Sequence, residues 1–152
     1  MILSGSAPDL AEIRALYPKA GQSEETAKTL NAKLESVNAQ SDKTLIAYKG
    51  AGLTLKSKFS GKLAEKISFM KKGAGLIDGA ATAEPNNIEI RLIRLSVQES
   101  VPGIVNYRKN KQEDKAFIAA HYKEQNGTLK EYVKNFMLQS KSFSEQEKSA
   151  LK

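Results

Sequence analysis

Apolar residues recur every three or four positions through most of this chain, the spacing of a helix that buries one face. The run from Gly61 to Pro85 shows it best. Leu63, Ile67, Met70, Ala74, Ile77 and Ala81 form one stripe, and Phe69, Gly73, Leu76 and Ala80 form a second. Two apolar faces on one helix predict two neighbours. Upstream, Leu10, Ile13 and Tyr17 line a short helix that Pro18 is expected to end. Ala27, Leu30, Leu34 and Val37 line another, expected from Gly21 to Gln40 with Ser23 as its cap. Leu45, Tyr48, Gly52, Leu55 and Phe59 line a third that starts at Ser41 or Asp42.

One stretch reads two ways. Between Glu84 and Ser100, Ile88, Ile90 and Leu92 alternate with Glu89 and Arg91, as in a strand. The alternation fails at Leu92–Ile93, and no partner strand is evident. On a helical projection Ile88, Leu92 and Leu95 lie together, and Ile90, Ile93, Val97 and Val101 lie opposite. Arg91, Arg94 and Gln98 form a narrow polar strip between these faces. The pattern predicts a helix buried on two sides, entered through Asn86 or Asn87 after Pro85 ends the preceding one.

Pro102 and Gly103 then break the chain into a loop, "VPGIVNYRKNK". Further helices announce themselves by a cap followed three residues later by glutamate: Asn110 with Glu113, Thr128 with Glu131, Ser144 with Glu147. Phe117, Ile118 and Tyr122 supply apolar contacts to the first, and Leu129, Tyr132, Val133, Phe136 and Met137 to the second.

Together these elements predict an all-α chain of about seven or eight helices arranged as antiparallel pairs. No Pro- or Gly-rich linker separates two domains, so a single helical domain is expected over 9–152, after a flexible N-terminus at 1–8. The pentapeptide KGAGL occurs twice, at Lys49–Leu53 and Lys72–Leu76. Each helical glycine costs about 1 kcal/mol relative to alanine. For Gly50 and Gly52, close approach of a neighbouring helix would explain that, and the recurrence of the pentapeptide reads as a similar packing demand or as chance. A phosphate-binding loop would not explain the glycines, because the Gly-Lys-Ser/Thr ending and a preceding strand are missing.

Composition narrows the chemistry. The 152 residues include 40% hydrophobic and 27% charged positions, which suits a folded core. There is no cysteine, which removes disulfides, thiolate zinc sites, iron–sulfur clusters and cysteine nucleophiles together. The lone histidine, His121, has no histidine partner for a metal site or a triad. No metal or other cofactor is expected, and no set of residues forms a catalytic constellation, so the chain reads as non-enzymatic. No run reaches the length of a transmembrane helix. The opening "MILSGSA" could be the tail of an export signal, which would place the protein in the periplasm or outside; otherwise the cytoplasm is expected.

A net charge of +7 allows acidic partners. The lysines Lys56, Lys58, Lys62, Lys66, Lys71 and Lys72 fall close together, opposed by Glu65. Contacts from them to phosphates would give salt-sensitive, sequence-independent binding of nucleic acid or another polyanion. The strip Arg91, Arg94 and Gln98 is the second candidate. It could grip a peptide carboxylate, with Tyr48 and Tyr107 as walls, or pair internally with Asp78 or Glu84.

The spacing of Tyr48, Ala51, Gly52 and Leu55, followed by Gly73, Ile77, Ala80 and Pro85, resembles the two halves of a tetratricopeptide repeat, with Lys56 to Lys66 as an insertion between them. No second repeat follows, since Arg91 and Arg94 fall where large apolar residues belong. From Asp9 onward, "AYKGAGLTLKSKF", "EPNNIEIRLIRLSVQESVP" and "YRKNKQEDKAFI" also resemble a family of small, uncharacterised bacterial helical proteins. That resemblance implies a tetratricopeptide-like helical domain, often exported, with no established activity. Stacked helix pairs bind peptides or partner proteins on a concave face, so the chain is expected to be a protein-interaction module.

Overall fold

A computed structural model describes residues 7–151, which form eight α-helices and no strand. The flexible start and the export-signal remnant expected at the N-terminus lie largely outside the described residues. The chain divides between Glu84 and Pro85 into two compact units.

The first unit holds α1 (Leu10–Ala20), α2 (Glu24–Lys33), α3 (Lys43–Phe59) and α4 (Leu63–Ala83). Asp9, Ser23 and Asp42 cap the first three through their side-chain oxygens. Pro18 does not end α1, which runs on to Ala20. A proline this near the C-terminus removes a single intrahelical bond, and its ring opposes only the carbonyl one turn back. Helix α2 is shorter than expected and stops at Lys33. Beyond it Ser41 Oγ accepts from Asn38 N at 2.9 Å, and Asn38 Oδ1 accepts from Gln40 N at 2.8 Å. Such local bonds draw the backbone out of the helix. Leu34 and Val37 are nevertheless buried, from the turn rather than the helix.

Helices α3 and α4 run antiparallel, as Gly50 beside Ile77, Thr54 beside Gly73 and Ser57 beside Lys66 require. The repeated pentapeptide lies at their crossing. A Cβ on Gly50 would stand 2.6 Å from the Gly73 carbonyl oxygen, and a Cβ on Gly73 would strike the Gly50 carbonyl in return. The first glycine of each KGAGL is therefore required by its counterpart, because only backbone fits between the helices. Gly52 faces the side chain of Asn31, whose Nδ2 donates to the Gly52 carbonyl at 3.1 Å and ties α2 to α3. The first α4 stripe needs correction. Met70, Ile77 and Ala81 are buried, but Leu63 and Ile67 are 72% and 55% exposed. The side of α4 that meets α3 carries Lys66, Gly73 and Ile77, roughly a quarter turn away from them.

The second unit holds α5 (Ile88–Ser100), a 3₁₀ turn (Gly103–Val105), α6 (Lys111–His121), α7 (Gly127–Gln139) and α8 (Glu145–Ser149). The ambiguous stretch is a helix, capped by Asn87 Oδ1 on the amides of Glu89 and Ile90. Both its apolar faces are buried: Ile88, Leu92 and Leu95 on one, Ile90, Ile93 and Val97 on the other. The first set forms a core with Ile118, Val133, Met137 and Phe143. Of the three expected cap-and-glutamate pairs, Ser144 and Glu147 make the full reciprocal box. Asn110 occupies the cap of α6 but bonds the Glu113 carboxylate instead of a backbone amide. Thr128 lies inside α7, which Asn126 precedes, because Gly127 with φ 57° turns the chain one residue earlier.

Candidate functional site

Residues 91, 94 and 98 share one side of α5, at helical spacing, and the structure brings their side chains onto one carboxylate. Asp114, fully buried in the first turns of α6, accepts from Arg94 Nε and Arg91 Nη1 at 2.9 and 3.1 Å. It also accepts from Arg94 Nη2 and Gln98 Nε2, both at 2.9 Å. Arg91 reaches further, donating to Glu113 at 2.8 Å and through Nε to the Pro85 carbonyl at 2.9 Å. Its guanidinium also lies 4.9 Å from the Phe117 ring centre. Gln98 Oε1 accepts from the backbone of Asn110 at 2.8 Å, at the start of α6.

Two guanidinium charges thus meet two carboxylates, and among the described residues no buried side-chain nitrogen or oxygen lacks a partner. Arg91, Arg94 and Gln98 are all less than a tenth exposed. The Arg91 hydrogen bond, then that of Asn110, holds the Glu113 carboxyl below its ordinary pKa. This arrangement fixes α5 against α6. Both arginines direct donors to acids of this chain, and that limits what they could offer a ligand.

Of the expected walls, Tyr48 is fully buried in the first unit with its ring edge-on to Tyr17 at 5.5 Å. Tyr107 is half-buried in the segment before α6. Asp114, the centre of the network, was not singled out by the sequence. The signal was present: Asp114 stands four residues before the core residue Ile118 and so shares its buried face.

The lysine group disperses. Lys66 reaches back to the carbonyls of Ser57 and Lys58 at 3.4 and 3.1 Å, closing the C-terminus of α3. Lys58 donates to the Gly21 carbonyl. Lys71 and Lys72 are exposed further along α4. Lys56 and Lys62 border something else, a groove of about 880 Å³ within the first unit.

That groove lies along α2, α3 and the start of α4. Glu24, Ala27, Lys28 and Asn31 come from α2, Lys49, Leu53 and Lys56 from α3, and Glu65 and Phe69 from α4. Each set falls at helical spacing, so each helix offers one face. Ala27, Leu53, Phe59 and Phe69 supply apolar surface, and the Lys56 ammonium sits 5.0 Å from the Phe69 ring centre. The rim alternates in charge. Lys28 and Glu24 are 3.9 Å apart, and Lys49 donates to the carbonyls of Glu35 and Val37 at 3.2 and 2.6 Å. The sequence gives no sign of the groove, because Phe59 and Phe69 read there as core and Leu53 lies off the apolar stripe of its helix.

Among the described residues no cluster of His, Asp or Glu could hold a metal ion, and no helix is long and apolar enough to cross a membrane. No family model, curated protein or solved structure matches the chain significantly.

Proposed function

We propose that the protein is a non-enzymatic interaction module whose first unit takes a short segment of a partner protein along the α2–α3–α4 groove. One observation carries the reading: a groove of about 880 Å³ with an apolar floor and a rim of both charges. Small-ligand sites span about 300 to 1,000 Å³, with apolar area for affinity and a few polar groups for orientation, and the groove has room for a few residues of a partner on the same terms. The tetratricopeptide-like spacing of Tyr48 to Pro85 supports the same use, since helix pairs of that kind bind extended segments. The non-specific polyanion reading has less support, because Lys58 and Lys66 are committed to backbone carbonyls.

The test is selection of peptides from a random library on the whole chain, followed by fluorescence polarisation with the selected sequences. Ala32 lines the groove from an exposed position on α2, so Ala32→Arg fills the groove without touching the core. Binding weakened at least about tenfold in that variant, a loss near 1.4 kcal/mol, is the expected result. Selected peptides that bind Ala32→Arg as well as the parent would rule the groove out. Binding that vanishes at moderate salt and is displaced by any polyanion would favour the lysine reading.

A further inference from the structure

The loop between α5 and α6 carries an apolar tip that the groove reading does not use. Ile104 is 94% exposed and Val105 is 38% exposed, on a 3₁₀ turn of three residues. The turn has a defined shape. Pro102 leads into it, Val105 N donates to the Pro102 carbonyl at 3.0 Å, and Asn106 closes it in the left-handed conformation at φ 56°. An isoleucine held outward on a bonded turn is a feature of the fold rather than an unfolded end.

Cations follow this tip in the chain. From Val101 to Lys111 the chain has Arg108, Lys109 and Lys111 and no acidic residue. The Arg108 guanidinium lies against Gly103, beside the tip, where an added Cβ would meet it at 2.9 Å. Lys111 also lines a small cleft of about 160 Å³ with Lys141 and with Lys115, which is paired to Glu147 at 3.2 Å. The acid in that cleft, Glu99, accepts the hydroxyls of Ser140 and Ser142.

We infer that this face of the second unit docks on an anionic lipid surface, with Ile104 entering the boundary between headgroups and acyl chains and Arg108, Lys109 and Lys111 meeting lipid phosphates. Charge complementarity selects this occupant. Three cations in a segment that carries no acid are drawn to anionic headgroups, and an adjacent apolar residue adds a short-range hold. The tip is convex. A protein partner would need a socket shaped for one isoleucine, whereas a lipid interface deforms around it.

The experiment is co-sedimentation of the full chain with two vesicle preparations: pure phosphatidylcholine, and equal parts phosphatidylcholine and phosphatidylglycerol. Sedimentation with the anionic vesicles alone, declining as salt screens the charges, is expected. Ile104→Glu should lower the partition at least about tenfold, because it removes the apolar contact and adds a repelled charge. The chain has no tryptophan, so Ile104→Trp places a single reporter at the tip. Its emission should shift to shorter wavelength on the anionic vesicles. Circular dichroism confirms that both variants fold. Equal binding to both vesicles, binding to neither, undiminished binding of Ile104→Glu, or unshifted indole emission from sedimented Ile104→Trp protein would each overturn the inference. So would loss of a self-associated form in Ile104→Glu with vesicle binding unchanged, which would make the tip a contact between copies.

Discussion

Helices α3 and α4 meet through their backbones, whereas α5 and α6 add a buried charge cluster to their shared apolar core. At the first crossing Gly50 and Gly73 leave no room for a side chain, and the fit is one of shape. At the second, one buried carboxylate gathers two arginines and a glutamine from the facing helix. The first contact fails when volume is added. The second depends on balance and fails when one partner is removed. A buried pair is not by itself strong evidence of stability, since apolar side chains can replace it, but it penalises any register that separates the charges.

The largest expected effect follows from that imbalance. Asp114→Ala leaves Arg94 and part of Arg91 buried without their acid, and should destabilise the second unit by about 3–5 kcal/mol in urea unfolding. Removing acid and base together, as Asp114→Leu with Arg94→Met, should cost clearly less than the single change. If the double variant is the less stable, charge balance is not what the α5–α6 contact depends on.

Next comes added volume. Gly50→Ala places a methyl 2.6 Å from the Gly73 carbonyl oxygen and 2.9 Å from Ile77 Cγ1. It should destabilise by about 1–3 kcal/mol, despite the better helix propensity of alanine. Gly75 and Gly79 lie on the same helix as Gly73 and face open space. Alanine at either should stabilise by up to about 1 kcal/mol. Thermal unfolding of the three variants separates packing from propensity, and a uniform gain across them would contradict the crossing.

The smallest effect is in pH. The Arg91 hydrogen bond, followed by that of Asn110, depresses the Glu113 pKa in the folded chain. A depressed carboxylate contributes stability that is present above its unfolded pKa and is lost as pH falls through the folded value. Stability should therefore decline on acidification through the carboxylate range, and Glu113→Gln should flatten that decline. Glu147 is depressed by the Ser144 backbone and by Lys115, and adds to the same slope. An unchanged acid limb in Glu113→Gln would show that its pairing with Arg91 is not maintained in solution.

Periodicity made the helices legible, and it decided the one ambiguous stretch, because two apolar faces on one segment imitate strand alternation. Caps with a side-chain oxygen beside a free amide were legible too, at Ser23, Asn87 and Ser144. Ends decided by competition were not. Pro18 was outweighed by the remaining bonds of α1, and the polar turn after Lys33 drew the chain out of a helix that its apolar stripe would have continued. The sites were harder. Arg91, Arg94 and Gln98 were visible as a strip, but the acid that joins them comes from another helix, and which acid faces which base is a property of packing. Phe59 and Phe69 show the converse limit. Their spacing puts them on apolar stripes, yet nothing local tells a core face from a groove wall.

The proposed binding face is the groove of the first unit, while the arginine strip of the second holds its own helices together. This assignment is tested most directly by measuring one selected peptide in parallel against Ala32→Arg and against the Arg94→Met, Asp114→Leu double variant, each confirmed folded by circular dichroism. At least about a tenfold weaker Kd is expected for the first and an unchanged Kd for the second, a separation near 1.4 kcal/mol. Unchanged binding in Ala32→Arg with loss in the double variant would contradict the assignment, and would return the site to the arginines.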